Sequence, residues 1–496
     1  MKTHIHTKLG AVILSISAGI FAFSCSEDFL DKSPKAQLTE SSFFQNPQQA
    51  TQAVNAVYSY LRSFDVHVFS YIGITDIASD DAEKGSVPGD AGFLQDVNDF
   101  TFDANNGAST GIWSGYFRGV FRANQVIENI GTLEMDEDLR NRLLGESRFL
   151  RAYFYFFLVR TYGGVPIIER PLNPDEYQQS RNTREEVYEF IKQDLQFAID
   201  NLPLKSEYAP EDMGRATKGA AQAYLAKVNL FENDFQGAYD NAVAVINSGE
   251  YSLYPDYLGI FREEGEHSSE SIFEVSAVAL EQGGGGHQYN EVQGIRGFPN
   301  QGWGFNSPSD DLEAAYEEGD PRKEATIIFD GDTLPSGEVV VADPNMGDNA
   351  KFNNKAHLPV RPPSGFGNSG ANIRLMRYAD ILLIAAEAAN ELGNSAEALT
   401  YLNQVRERAR QGNSDVLPDV TTADQVELRM AIYHERRVEL AMEQHRYFDL
   451  VRQGRAQEVF AALGINWVPG KHEVFPIPQS EIDVSGGALE QNPNYN

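Results

Sequence analysis

The chain has 496 residues, 42% of them hydrophobic, which allows a large core and, on length alone, two or three domains. Forty Lys and Arg stand against 72 Asp and Glu, a net charge of -32, and such a polyanion repels phosphate backbones and anionic membrane surfaces, so nucleic acid is excluded as a partner. Its 22 Tyr and 30 Phe exclude a mostly disordered acidic chain, and its one cysteine excludes an internal disulfide or a cysteine-based zinc site.

Lys2 and Lys8 give a positive start, and residues 9–23 are uncharged and mostly apolar. That run is shorter than the roughly 20 residues that span a bilayer. It fits the h-region of a secretion signal. The sole cysteine, Cys25, follows Ala22-Phe23-Ser24, the setting that a lipoprotein signal peptidase accepts. Residues 1–24 are therefore predicted to be a lipoprotein signal peptide, and Cys25 the lipidated residue. Several acyl chains anchor stably, because each buried methylene contributes about 0.8 kcal/mol. The alternative is a buried free cysteine behind an ordinary signal peptide. The acidic Ser26-Glu27-Asp28-Phe29-Leu30-Asp31 then reads as a solvated tether.

The first half reads as helical. Pro47 opens a helix to about residue 62, with Ala50, Val54, Val57 and Leu61 inward. A second covers 113–130 and a third 139–162. The third is apolar nearly all round from Phe149 to Leu158, so it should be central, with Trp113 and its aromatics as core. Thr183, with Glu186 three positions on, caps a helix to about residue 199. Between the first two helices, Asp76 to Ser86 is a loop carrying Asp80, Asp81 and Lys84. Carboxylates beside an amine suit hydrogen bonding to vicinal sugar hydroxyls. The same oxygens could hold Ca²⁺, although the spacing is not that of an EF-hand, and a plain solvated loop is the third reading.

Residues 220–231 and 236–246 form one helical hairpin around an Asn/Asp turn. Residues 378–392 and 395–409 form another, ended and restarted by Gly393 and Asn394. Glu397 stands where a capping box would place it. Small Ala385, Ala386, Ala388 and Ala389 allow a close partner helix. These are tetratricopeptide-type hairpins, which must stack to bury their apolar faces.

Between the hairpins, residues 251–373 lose helical periodicity and gain Gly, Pro, Asn and Asp. Ser271 to Val275 looks like a strand, and 326–329 and 339–341 like β-rich pieces flanking a turn. Gly283 to Gly286 is not a phosphate loop, since Gly-Lys-Ser/Thr is absent. Tyr289, Phe298, Trp303 and Phe366 sit among small residues there and are candidate glycan contacts. Trp303 lies between two glycines, and a flat indole stacks well on the apolar face of a sugar ring. Trp303 could equally pack the loop itself.

Near the C-terminus, Thr421 with Asp424 is predicted to cap a helix to about residue 443. Glu435, Arg436, Glu439, Glu443, Arg446, Asp449 and Arg452 alternate at one-turn spacing and read as a structural ion-pair network.

Several stretches are familiar together. Arg377-Tyr378-Ala379-Asp380-Ile381-Leu382-Leu383-Ile384-Ala385-Ala386-Glu387-Ala388 closely resembles a signature of the SusD/RagB family of nutrient-binding outer-membrane lipoproteins. Cys25 to Asp31 resembles how mature SusD-like chains begin. Tyr162-Gly163-Gly164-Val165-Pro166, Gly319-Asp320-Pro321-Arg322, Glu435 to Leu440, Arg446 to Arg452 and Phe475 to Ile482 resemble further family motifs, in the same order. Tyr447 stands where the family usually has Trp or Phe, and Asn494 where it often has Gly.

The resemblance implies a mostly α fold, a single SusD-like domain over 25–496. Its helical scaffold covers 40–250 and 374–460, and a loop-rich ligand face with short β-strands covers about 251–373. It further implies a non-catalytic lipoprotein of the outer membrane, facing the cell exterior, that passes oligosaccharides to a SusC-like TonB-dependent transporter and needs no cofactor. A peptide ligand on the same machinery, a glycoside hydrolase and a protein-binding scaffold are the alternatives. No His-Glu-x-x-His, nucleophile elbow or zinc spacing supports an enzyme, although paired carboxylates leave no sequence signature.

Overall fold

A computed structural model describes residues 44–347, 349–362 and 365–495. The signal peptide, Cys25 and the acidic run after it lie outside the described residues. Helix α1 (Pro47–Tyr60) starts where Asn46 accepts the backbone N–H of Gln49, and it buries Ala50, Ala53, Val54 and Val57. Helices α2 (Gly107–Ile130) and α3 (Glu137–Tyr162) pack side by side, and α4 (Arg184–Asn201) lies against α3. Residues 149–159 are buried without a break, so α3 runs through the middle of the core, and Trp113 is buried beside it. The capping box on α4 forms as expected: Thr183 Oγ1 accepts from Glu186 N, and Glu186 Oε2 accepts from Thr183 N.

Helices α5 (Lys218–Phe231) and α6 (Phe235–Asn247) make the first hairpin, and α7 (Tyr378–Glu391) and α8 (Ser395–Ala409) the second. They are far apart in sequence, yet α6 packs directly on α7. The four alanines predicted to let a helix approach are fully buried in α7. Gly393 turns the chain at φ +85°, a conformation that a Cβ would penalise. The capping box at Asn394 does not form: its side chain makes no cap, and Glu397 instead accepts the hydroxyl proton of Tyr239 from α6. Helix α9 (Gln425–Glu439) is capped by Asp424, which takes the N–H groups of Val426 and Glu427, not by Thr421. It ends four residues before Glu443, because the chain enters the left-handed region at Met442 and Gln444.

The insertion is clamped at its base. Strand β2 (Ser271–Val275) pairs antiparallel with β8 (Ile373–Arg377), so the segment leaves and rejoins the helical frame at one place. Farther out are three short antiparallel pairs. Strand β1 (Ala82–Gly85) joins β4 (Phe305–Pro308), β3 (Gly297–Phe298) joins β6 (Val341–Ala342), and β5 (Ile327–Phe329) joins β7 (Lys351–Asn353). The expected pieces at 326–329 and 339–341 therefore pair with other strands; between the two arms the turn closes through the bridge Thr333–Val339 and the backbone hydrogen bonds between Val340 and Gly331 and Asp332. The β1–β4 pair ties the insertion to the segment after the first helices.

The charged C-terminal cluster is a buried lattice. Arg322 meets Asp320, Glu435 and Glu439, and Arg377 meets Glu270, Glu439 and Glu443. Arg436 joins Asp380 to Asp449, and Arg452 joins Glu387 to Asp449. Such pairs hold elements in register, and removing one member leaves an uncompensated buried charge.

Candidate ligand-binding face

The outer strands raise one groove with aromatic walls. Phe298 and Val341 are antiparallel partners across β3 and β6, and each is 55% exposed. With Arg296, Asn300, Trp303 and Asp343 they line an open groove of about 570 Å³. Trp303 is half-buried. Its ring meets Phe69 edge-on, with centroids 6.1 Å apart at 87°, and its backbone N–H donates to Glu291 O at 2.9 Å. Both flanking glycines are required. A Cβ on Gly302 would stand 2.1 Å from Glu291 O, and Gly304 has φ +73°. The sequence pattern that left Trp303 little cover thus comes from a backbone folded tightly against its neighbours. Arg296 braces the rim: Nε donates to Asp343 Oδ2 at 3.2 Å, and Nη1 donates to Asp90 Oδ2 at 2.7 Å and Ser86 Oγ at 2.9 Å. Sequence reasoning missed Arg296, Asn300 and Asp343, since no local pattern marks residues that meet only through strand pairing.

The other sequence candidates lie elsewhere. Phe366 is half-buried in the turn Phe366–Asn368, under the guanidinium of Arg361 at 5.6 Å, and does not line this groove. Tyr289 is buried, and its hydroxyl accepts from Gln444 Nε2 at 2.9 Å. Asp80, Asp81 and Lys84 are buried as well, which corrects their reading as an open sugar-binding loop. Asp80 accepts both Nε and Nη2 of Arg446 at 2.7 Å, and Asp81 accepts Nε of Arg437 at 2.7 Å. Burial opposes the charge on Asp80, but Arg446 and Arg437 hold its carboxyl below the usual range; for Asp81 burial prevails and the carboxyl is pushed up. Lys84 Nζ donates to the carbonyls of Val87 and Asp90. Carboxylates committed to guanidinium groups do not fit Ca²⁺, and among the described residues no group of three or more His, Cys, Asp or Glu could hold a metal ion.

Comparison with known proteins agrees with this architecture. Residues 269–495 match the SusD family, and residues 28–230 match the family described as starch-binding associating with outer membrane. SusD-like protein P2 of Formosa agariphila is 31% identical over 95% of this chain and 97% of its own length. A solved laminarin-binding SusD-like protein superposes with a TM-score of 0.79 at 30% identity, covering 91% of this chain and 100% of that one. Surface glycan-binding protein A of Bacteroides thetaiotaomicron, solved in complex with laminarihexaose, superposes at 0.76 with 26% identity, covering 90% and 99%. The chain belongs to the SusD family, as its motifs indicate.

Proposed function

We propose that this chain is a non-catalytic, surface-exposed glycan-binding lipoprotein that captures oligosaccharides in the Phe298–Trp303 groove and delivers them to a SusC-like TonB-dependent transporter of the outer membrane. The carrying observation is the groove itself. Two aromatic faces are held open on strands and glycine turns that are braced against a rigid helical frame. Sugar rings offer apolar C–H faces to such platforms, while Asn300, Arg296 and Asp343 offer polar groups to hydroxyls. Relatives described as laminarin-binding and glycan-binding support carbohydrate over peptide. Phe366 would extend the contact along the face. The proposed anchor is a lipid on Cys25; among the described residues no helix is long and apolar enough to cross a membrane.

The two carboxyls paired with Arg296 at the groove rim disfavour cleavage there. A glycosidase needs one carboxyl that can donate a proton and one that stays ionised. Asp90 is held below the usual carboxylate range, chiefly by Ser86 and then Arg296, and Asp343 likewise, chiefly by the N–H of Asn345. Neither carboxyl is a proton donor near neutral pH. The test is a glycan array probed with the mature protein, alongside a reducing-sugar assay on the same polysaccharides and a peptide panel. Binding without released ends supports this reading; turnover, or binding to peptides alone, contradicts it. Co-purification with an outer-membrane barrel tests the transporter.

A further inference from the structure

A second trough lies over the exposed end of α1. Ser59, Tyr60, Arg62, Ser63, Arg122 and Gly286 line a space of about 400 Å³. Its two arginines differ from those of the buried ion-pair lattice. Arg322, Arg377, Arg406, Arg408, Arg436, Arg437, Arg446 and Arg452 all meet carboxylates. Arg62 meets none: its guanidinium donates to the carbonyl of Gly285 and the hydroxyl of Ser59, both uncharged. Partial burial pulls its pKa down, and no acidic group opposes the shift. Arg122 is exposed, and its guanidinium stacks over the Tyr60 ring at 4.7 Å without an ion pair among the described residues. Asp65, the carboxylate that acts on Tyr60, is itself paired with Arg118. In a chain with 72 acidic and 40 basic side chains, two guanidiniums without a carboxylate partner share this one concave surface.

The trough adjoins the proposed glycan face. Gly286 N donates to Asn368 Oδ1 in the turn that carries Phe366. The preceding residue of that turn, Gly367, lies against the Glu291 side chain, and Glu291 O in turn receives the N–H of Trp303. The Phe366 turn thus links the trough to the loop that carries Trp303.

We propose that this trough binds the anionic substituent of an acidic oligosaccharide, a uronate carboxylate or a sulfate ester, so that the captured glycan is negatively charged. This rests on the carbohydrate reading above. A guanidinium presents paired N–H donors that match the planar carboxylate or two oxygens of a sulfate, and the serine hydroxyls can add donors. One backbone carbonyl and a neutral hydroxyl leave the positive charge of Arg62 uncompensated until such a group arrives. A neutral glucan would leave both guanidiniums unused.

The experiment measures binding of the mature protein to a polyuronate oligosaccharide, a sulfated galactan oligosaccharide, its desulfated counterpart and neutral laminarihexaose. At least one acidic probe is expected to bind more tightly than laminarihexaose, with an affinity that falls as salt is raised. Loss of binding on desulfation assigns sulfate; binding of the polyuronate alone assigns carboxylate. Arg62→Gln and Arg122→Gln are each expected to weaken the acidic probe about tenfold or more, because a charge-assisted hydrogen bond is lost. Arg122 makes no hydrogen bond in the described fold, so Arg122→Gln should keep the thermal midpoint even if Arg62→Gln does not. If neutral probes bind as well as acidic ones, or Arg122→Gln leaves acidic affinity unchanged, the trough assignment fails while the carbohydrate reading stands. If no saccharide binds, both fail.

Discussion

Asp76 Oδ2 accepts the side-chain amide of Asn306 at 3.0 Å, across 230 positions of sequence. The same buried carboxylate takes the backbone N–H of Gln444 at 3.0 Å and its side-chain amide at 2.9 Å. One acid therefore ties the first helices, the strand that follows Trp303 and the turn after α9. Asn306 and Gln444 both hold positive φ, at +57° and +63°. Left-handed backbone costs a non-glycine residue roughly 1–2 kcal/mol, and these hydrogen bonds offset it.

The first prediction concerns pH. Burial pushes Asp76 up from 3.8 to about 7, against the hydrogen bonds from Asn306 and Gln444. Between those values the folded chain holds a proton that the unfolded chain has released. The stabilisation is thus complete below 3.8 and lost as pH rises through about 7. Asp76→Asn removes this proton. The stability of the wild type relative to the variant should fall across that window and level off above it. Denaturant melts at a series of pH values measure the difference, and a flat line would contradict the assignment.

Arg377 closes the base of the insertion, giving Nε to Glu443 at 2.6 Å and reaching Glu439 at 3.1 Å. Arg377→Met removes one cation from Glu270, Glu439 and Glu443, which keep only Arg408, Arg322 and Lys355, at a cost of about 3–5 kcal/mol. The midpoint of chemical unfolding should fall accordingly. A loss below about 1 kcal/mol would mean that the lattice redistributes its charge.

Trp303→Ala should weaken sugar binding by about 1–3 kcal/mol, the range for losing an aromatic stacking platform. The variant also loses the edge contact with Phe69, so affinity must be expressed per folded molecule. Phe298 is 55% exposed, and Phe298→Ala should weaken binding with little change in melting temperature. Unchanged affinity in both variants would make the pair framework.

How far the sequence carries the fold follows from distance along the chain. Both hairpins and the α4 cap were legible, because Gly393, the α7 alanines and Thr183–Glu186 act on neighbours within a few residues. Phe298 was legible as an exposed aromatic for the same reason, and Trp303 as an indole held between two glycines. Asp80 and Asp81 misled because their partners, Arg446 and Arg437, lie 366 and 356 positions away. An acidic loop and half of a buried ion pair look alike until the fold brings the arginines. Tyr289 was hidden in the same way by Gln444.

Cys25→Ala should release the mature protein from membrane fractions. Fractionation of cells with and without the transporter measures this. Retention of the variant where the transporter is absent would refute a lipid anchor.

The most direct test is titration of the mature protein and of the Trp303→Ala, Phe298→Ala double variant with the best oligosaccharide from the array, with product analysis of the same mixtures. The account predicts saturable binding by the wild type, loss in the double variant, and recovery of the sugar intact. Cleaved sugar, or undiminished binding by a folded double variant, would contradict it.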